Sequence, residues 1–260
     1  MLMAPYSLFY CAIDAAVVRQ AVAWFNVPVA YAEILPIRAT TYILTLLNTQ
    51  LGQGGLAVFL HKRYGLPFWQ ITGTVVVLML VEMYQLALYS FVGASLTGQL
   101  GHSVSPWPYA ILAGYLVFHL WFFSKPRSGK IGTAQFLQTF YRAKPWQYLA
   151  LLLLKTPNLF AAVTVYWLAL PLFGVDTIPF SALLTYLPLI FFLSAMPAAA
   201  KLGPAQAAWV WFFGAQAPEA NLVAFSLAAH LTFLVLNALI GLCFLKRAMR
   251  ELEEPLPVAS

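Results

Sequence analysis

The stretch Asn48-Thr-Gln-Leu-Gly-Gln-Gly-Gly55 lies inside a long apolar segment, although it carries three amide side chains and three glycines. A chain at membrane depth can interrupt its helix only where the backbone is buried in protein or lines a cavity. A second interruption, from Met196 to Gln206, follows about 150 residues later. Two interrupted apolar segments in corresponding positions of two halves are typical of a transporter-like binding site.

The composition indicates a polytopic helical membrane protein. Of the 260 residues, 62% are hydrophobic and 8% are charged, whereas a soluble domain carries about 25% charged residues. The net charge of +6 comes from bases at the ends of apolar segments, which the positive-inside rule explains without a nucleic-acid partner. Cys11 and Cys243 both lie in apolar segments. Their placement argues against a disulfide framework, and no motif spacing predicts a metal or another cofactor.

The order of the apolar segments predicts an all-α polytopic membrane protein with a single integral membrane domain. We expect seven to eight apolar helical segments, of which about five cross the membrane fully, at roughly 20 residues per crossing. The remaining segments, near 34–60 and 179–213, are predicted to form two opposed re-entrant or broken-helix hairpins in an inverted repeat. The repeat halves are about 5–92 and 147–246, separated by an extra helix at 107–123 and a basic loop at 124–146.

The distribution of charge predicts the orientation. Lys and Arg cluster at 61–63, 125–144 and 246–250, whereas the loop at 92–106 has none. Because basic loops stay in the cytoplasm, we expect an N-out/C-in protein of a bacterial inner membrane, with Val27 in the cytoplasm. The middle of the basic loop, 132–141, is predicted to be an amphipathic helix on the membrane surface.

Both interruptions carry short motifs. In the first, an Asn-containing segment end precedes a Gly-rich turn, an apolar run to a basic pair and then Gly65-Leu66-Pro67. The second, from Pro197 to Gln206, is similar to Pro-x-x-x-Gly-Gly-Leu-Gly-x-Arg-Glu, one residue shorter. With these motifs the chain, from about Tyr6 to Leu245, resembles the transmembrane region of the lysylphosphatidylglycerol synthetase family, also called the flippase-like integral membrane family.

The resemblance implies movement of a polar lipid, or of a lipid-linked group, between membrane leaflets. The Arg-Glu pair that ends the family's second motif reads Ala205-Gln206 here, so the resemblance does not specify the substrate. We expect no soluble aminoacyl-transferase domain after Ser260. The resemblance therefore favours a transporter-like protein over the lipid-modifying activity of the longer members.

The polar residues of the two interruptions are candidates for binding a lipid headgroup. Asn48, Gln50 and Gln53 would face the space between the hairpins, or would instead satisfy the backbone of their own interrupted helix. Lys201 would bind a phosphate beside helix N-termini, or would instead extend to the cytoplasmic surface. Gln206 is a further candidate in the second interruption.

Polar side chains within the spans are a second set of candidates. An acidic residue at the bilayer centre costs about 2.5–3.5 kcal/mol. Glu82 and Asp14 should therefore contact a headgroup, couple protons or form structural ion pairs. His230 and Asn237 are seven residues apart on one helix face and would contact the substrate or bond neighbouring helices. Lys155 is expected near the membrane interface.

Three functional hypotheses follow. The first is a lipid flippase or scramblase-like carrier, with membrane lipids as its partners. The second is an integral-membrane enzyme acting on a polyprenyl or phospholipid substrate, a class that usually needs clustered acids for a metal. The third is a scaffold or subunit beside enzymes of lipid or glycan synthesis.

Overall fold

The computed structural model describes residues 2–101, 104–124, 132–194 and 203–253. In these ranges the regular elements are helices and no strand occurs, so the predicted all-α class is confirmed. The elements, in chain order, are α1 Met3–Phe25, α2 Tyr31–Thr45, α3 Thr49–Tyr64, α4 Phe68–Leu96, α5 Trp107–Phe123, α6 Gln135–Arg142, α7 Pro145–Ala169, the 3-10 turn η1 Leu170–Phe173, α8 Phe180–Ser194, α9 Pro204–Phe213 and α10 Glu219–Glu253.

Four helical segments are long and apolar enough to cross a membrane: α1, α4, α7 with its continuation η1, and α10. Helices α5 and α8 are apolar but shorter, at 17 and 15 residues. These lengths support the predicted membrane-embedded helical protein. The number of about five full crossings stays a prediction.

The first interruption is shorter than the glycine-rich sequence suggested. Helix α2 ends at Thr45 and α3 begins at Thr49, so the glycines at 52, 54 and 55 lie inside α3. The break is stabilised by Asn48, whose side-chain oxygen accepts a hydrogen bond of 2.7 Å from the Gln50 backbone N–H. Such an N-cap satisfies one of the donors that the start of a helix leaves free. Gly52 and Gly55 serve close packing instead, because an added Cβ would meet the Thr45 side chain at Gly52 and the Leu44 side chain at Gly55.

The second interruption lies largely outside the described residues, as does Lys201. Helix α8 ends at Ser194 and α9 begins at Pro204. Gly203 precedes α9 with a φ of 97°, a conformation that glycine adopts without steric penalty. The chain therefore enters α9 through a turn that suits glycine.

Each pair of short helices begins and ends on the same side of the bundle. At the end of α3, the Tyr64 hydroxyl donates a 3.2 Å bond to the carboxylate of Glu33, in the first turn of α2. In the second pair, the hydroxyl of Thr177, just before α8, donates a 2.5 Å bond to the carbonyl of Gln216, just after α9. The segments α2–α3 and α8–α9 are therefore helical hairpins.

The two hairpins open at opposite ends of the bundle. Arg63 donates to the Glu251 carbonyl, and Arg247 donates to the Ala32 carbonyl, at 2.7 and 2.8 Å. These bonds hold the first hairpin at the C-terminal end of α10. The second hairpin ends at Phe213, six residues before α10 begins at Glu219. The 35 residues of α10 separate the two ends of that helix by roughly 50 Å.

The helices exchange partners between the two halves of the chain. Helix α1 packs against α7, α2 against α10, and α4 against α8. Within the halves, α2 packs on α3 and α3 on α4, and likewise α8 on α9 and α9 on α10. The helices α1, α2, α3 and α4 correspond in order to α7, α8, α9 and α10. When each helix is exchanged for its counterpart, every contact in this set becomes another contact of the set or stays the same.

The amphipathic helix predicted at 132–141 is the eight-residue α6, which packs against the start of α4. Its inner side is formed by the buried Thr139 and Phe140. The Thr139 hydroxyl lies 2.9 Å from that of Thr74, which also accepts a 2.7 Å bond from the Asn26 side chain. Helix α6 is thus joined to the bundle by packing and by hydrogen bonds.

The closest approach of α10 to α2 is testable at Gly241, where an added Cβ would lie 2.6 Å from the Ala39 carbonyl oxygen. We expect Gly241→Ala to destabilise the protein by about 1–3 kcal/mol, the usual cost of overpacking. The matched control is Gly114→Ala on α5, where nothing lies within 4 Å of the new Cβ. Thermal unfolding in detergent should show a lower Tm for the first variant only, and equal Tm values would contradict the packing.

Candidate functional site

A cavity of about 190 Å³ lies between the two helical hairpins. Within the described residues its wall is built from α1–α4 and α7–α10. Unlike the apolar outer surface, this wall is rich in polar side chains: Tyr6, Tyr10, Arg38, Tyr42, Thr45, Gln53, Glu82, Tyr166, Ser194, Ser226, His230 and Asn237. The fold thus places a polar space at the centre of an apolar helix bundle.

The charge of Arg38 is balanced by a buried acid. Its Nε lies 2.6 Å from Asp14 Oδ2, and the two side chains are 7% and 4% exposed. The Tyr42 hydroxyl donates a 2.7 Å bond to the same carboxylate oxygen, and the guanidinium also donates to the Thr41 hydroxyl. Since an unpaired buried charge costs several kcal/mol, the pairing allows α1 and α2 to carry ionised groups inside the bundle.

A second ion pair joins α7 to α4. Lys155 Nζ lies 2.7 Å from Glu82 Oε2, with side-chain exposures of 9% for the lysine and 36% for the glutamate. The structure buries Lys155 against α4. Its predicted position near the membrane interface stays a prediction. Depth along one span does not reveal the acid on a neighbouring helix.

Aromatic rings form much of the remaining wall. The Tyr6 ring stacks on Phe233 at a centroid distance of 5.4 Å, and Tyr10 contacts the same ring edge-on at 5.1 Å. On the side of the cavity formed by the second half of the chain, the Tyr166 ring stacks on the Trp209 ring at a centroid distance of 6.2 Å. Tyr6, Tyr10 and Asp14 are spaced by four residues, so one face of α1 supplies both rings and the acid.

Four of the predicted site residues line this cavity: Gln53, Glu82, His230 and Asn237. Asp14 does not line it but bonds directly to Arg38, which does. The Asn237 side-chain nitrogen donates to the Phe233 carbonyl of its own helix, at 2.7 Å. Its contact with a substrate stays a prediction.

The other predicted residues are placed elsewhere. Asn48 caps α3 and Gln50 is exposed beside it, and neither belongs to the described cavity wall. Gln206 accepts a 2.7 Å hydrogen bond from the Gly203 backbone N–H, as in a capping box at the start of a helix. Lys201 lies outside the described residues. The structure thus uses Asn48 and Gln206 as caps, each satisfying the backbone of its own hairpin.

Arg38 is the main residue of the cavity wall that is absent from the candidates predicted from the sequence, although it is a cation inside an apolar segment. Tyr6, Tyr10 and Trp209 also belong to the wall and were not predicted. The sequence does contain a signal for Arg38, because an isolated acid and an isolated cation within membrane spans usually form a pair.

Comparisons of the chain with family models, with curated proteins and with solved structures give no match. The resemblance to the lysylphosphatidylglycerol synthetase family therefore stays a prediction. Within the described residues no three His, Cys, Asp or Glu side chains are grouped so as to hold a metal ion.

The buried ion pair can be tested by separating its partners. Arg38→Met or Asp14→Leu alone should destabilise the protein by about 3–5 kcal/mol, because each leaves the other charge buried without its partner. The double variant should regain most of that loss, since a buried pair can be replaced by apolar groups at little cost. The measurement is equilibrium unfolding in detergent.

The control is the more exposed pair Arg247–Glu251, joined at 2.9 Å on one turn of α10, with side-chain exposures of 47% and 14%. Removal of Glu251 by substitution with Ala should cost only about 0.3–0.5 kcal/mol. If the single substitutions at Arg38 and Asp14 are equally mild, the proposed importance of the buried pair is wrong.

Proposed function

We propose that this protein moves a polar lipid, or a lipid-linked headgroup, between the two leaflets of a membrane. The observation that best supports this proposal is the central polar cavity. It contains paired charges and is enclosed by two hairpins that open at opposite ends of the bundle. A headgroup is the part of a lipid that meets a large barrier in the bilayer, since polar groups are costly to bury unpaired. Acyl chains can remain in the surrounding hydrocarbon while the headgroup passes through a polar path.

The packing supports an inverted repeat as the architecture of this carrier. Helices α1–α4 and α7–α10 have the same order of elements and the same exchange of partners. We assign full crossings to α1, α4, α5, α7 and α10, and re-entrant hairpins to α2–α3 and α8–α9. The 17 residues of α5 reach roughly 26 Å, close to the hydrocarbon thickness of about 30 Å.

The charges favour one orientation. Apart from Arg38 and Lys155, the described Lys and Arg residues lie at the end of the bundle where α3 and α10 terminate: Arg19, Lys62, Arg63, Arg142, Lys144, Lys246, Arg247 and Arg250. Asp176 and Glu219 lie at the other end. By the positive-inside rule the basic end faces the cytoplasm, in an N-out/C-in protein of a bacterial inner membrane.

The transport proposal predicts movement of lipids in vesicles. Protein reconstituted into liposomes should move fluorescent phospholipids between leaflets faster than protein-free vesicles do. Ser226→Phe should abolish this movement because Ser226 lines the cavity and is 3% exposed. The neighbouring substitution Leu227→Phe should leave it unchanged, because Leu227 is 37% exposed on the outer surface. The measurement is bleaching of outer-leaflet lipid by dithionite.

Both variants must first elute as folded protein in detergent with unchanged helical circular dichroism. If wild type moves neither zwitterionic, anionic nor cationic phospholipids faster than empty vesicles, the transport proposal fails. If Ser226→Phe is as active as wild type, the central cavity is not the path.

The orientation predicts a labelling pattern for single cysteines introduced into a Cys243→Ser background. Asp176→Cys should react with a membrane-impermeant thiol reagent in intact cells. Val27→Cys and Lys62→Cys should react only after permeabilisation, because both lie at the basic end. Labelling of Val27→Cys from outside intact cells would contradict the cytoplasmic entry of the first hairpin.

A further inference from the structure

We propose that the central cavity selects a zwitterionic group, whose anionic part binds at Arg38 and whose ammonium binds at Glu82. This inference specifies the class of ligand that the proposed transporter would move, and it rests on the proposed transport function. It follows from how the two buried ion pairs are oriented relative to the cavity.

Each ion pair has one member that faces the cavity and one that stands behind it. Arg38 and Glu82 belong to the cavity wall, whereas their partners Asp14 and Lys155 do not. Each partner lies within 2.7 Å of the oppositely charged group that faces the cavity. The cavity therefore has one positive and one negative pole, supplied by α2 and α4.

The four charges of these pairs cancel, which determines what the site can accommodate. Binding a simple anion or cation would add an uncompensated charge to a low-dielectric environment, where unpaired charge costs several kcal/mol. A zwitterion adds none, and each of its charged groups meets the opposite pole. The described wall thus favours a ligand with no net charge but with two separated charged groups.

The aromatic wall suits the cationic part of such a ligand. Tyr6, Tyr10 and Phe233 pack against one another along the cavity. Ammonium groups bind to aromatic faces through cation–π attraction, strengthened when water is excluded. The rings and the Glu82 carboxylate together supply both kinds of contact that an ammonium group makes.

The size of the cavity is that of a headgroup. Its volume of about 190 Å³ is smaller than the roughly 300–1,000 Å³ of pockets that hold drug-sized ligands. A phosphoethanolamine group fits this scale, whereas the acyl chains of a phospholipid do not. The same chemistry also occurs in soluble zwitterions, and the two sources are separated by comparing ligands with and without acyl chains.

The test is calorimetric binding to the purified wild-type protein in detergent. The probes are dihexanoylphosphatidylethanolamine, dihexanoylphosphatidylglycerol and free glycerophosphoethanolamine, a phosphodiester with no net charge and no acyl chain. We expect the zwitterionic lipid to bind at least about tenfold more tightly than the anionic lipid, the effect of one charge-assisted contact. Equally tight binding of glycerophosphoethanolamine would support the zwitterion site and identify its ligand as soluble.

The decisive variant exchanges the charges within one pair. Glu82→Lys combined with Lys155→Glu retains an ion pair but presents a second cation to the cavity. Its affinity for dihexanoylphosphatidylethanolamine should fall at least about tenfold, because the ammonium group now meets a cation, and the wild-type order should be lost. The matched control, Arg250→Glu combined with Glu253→Arg, exchanges two exposed charges near the end of α10 and should keep the wild-type order.

A second variant guards against misfolding of the exchanged pair. Glu82→Gln combined with Lys155→Gln removes one pole and its partner without leaving a charge unpaired, and should bind the two lipids with similar affinity. Circular dichroism and elution in detergent establish that each variant is folded before binding is compared.

The inference is overturned if wild type binds phosphatidylglycerol as tightly as phosphatidylethanolamine. It is also overturned if a folded exchange variant keeps the wild-type order, or if none of the three probes binds. Failure of the transport proposal would look different, because the binding preference would persist while reconstituted vesicles moved no lipid. Conversely, lipid movement without this preference would leave transport standing and refute the zwitterion site.

Discussion

A charge inside an apolar helix bundle needs a countercharge, and this requirement fixes how the helices of the protein meet. Arg38 and Asp14, 24 residues apart, join α2 to α1. Lys155 and Glu82, 73 residues apart, join α7 to α4. Helix α2 has 15 residues and is too short to cross a membrane alone, so contacts with its neighbours must hold it at depth. The Arg38–Asp14 pair therefore positions the short helix α2, and the two pairs together bring opposite charges to one central cavity.

A second constraint applies at the hairpin tips. Backbone N–H and C=O groups that a helix break leaves free need hydrogen-bond partners within the protein where water is absent. At the start of α3, the Asn48 side chain accepts from a backbone N–H, and at the start of α9 the Gln206 side chain does the same for Gly203. Amide side chains that are conspicuous in the sequence are thus partly used by the breaks themselves. This use explains why Gln53, one turn further into α3, lines the cavity while Asn48 and Gln50 do not.

The sequence was sufficient for the features that depend on composition and order. Apolar length and charge indicated an all-helical membrane protein, and the paired interruptions indicated two short-helix hairpins. Periodicity relates residues of one helix only, so it could not identify Arg38 as the partner of Asp14 or Lys155 as the partner of Glu82. For the same reason, the glycines of the first interruption were assigned to the break, although the structure uses Gly52 and Gly55 for helix packing inside α3. Tertiary contacts decide such cases, and local patterns do not contain them.

The related packing of the two halves does not make them energetically equivalent. Helix α2 carries Arg38, whereas α8, its counterpart in the exchange of partners, has no charged residue between Phe180 and Ser194. Separating α2 from α1 would leave the buried charges of Arg38 and Asp14 without their partners. The polar contacts of α8 with α4 and the loop that follows it are weaker, such as the 3.1 Å bond from the Tyr186 hydroxyl to the Gln99 side chain, three residues after α4. The cost of parting a buried ion pair exceeds that of a neutral hydrogen bond. Polar contacts therefore hold α2 in the bundle more strongly than they hold α8.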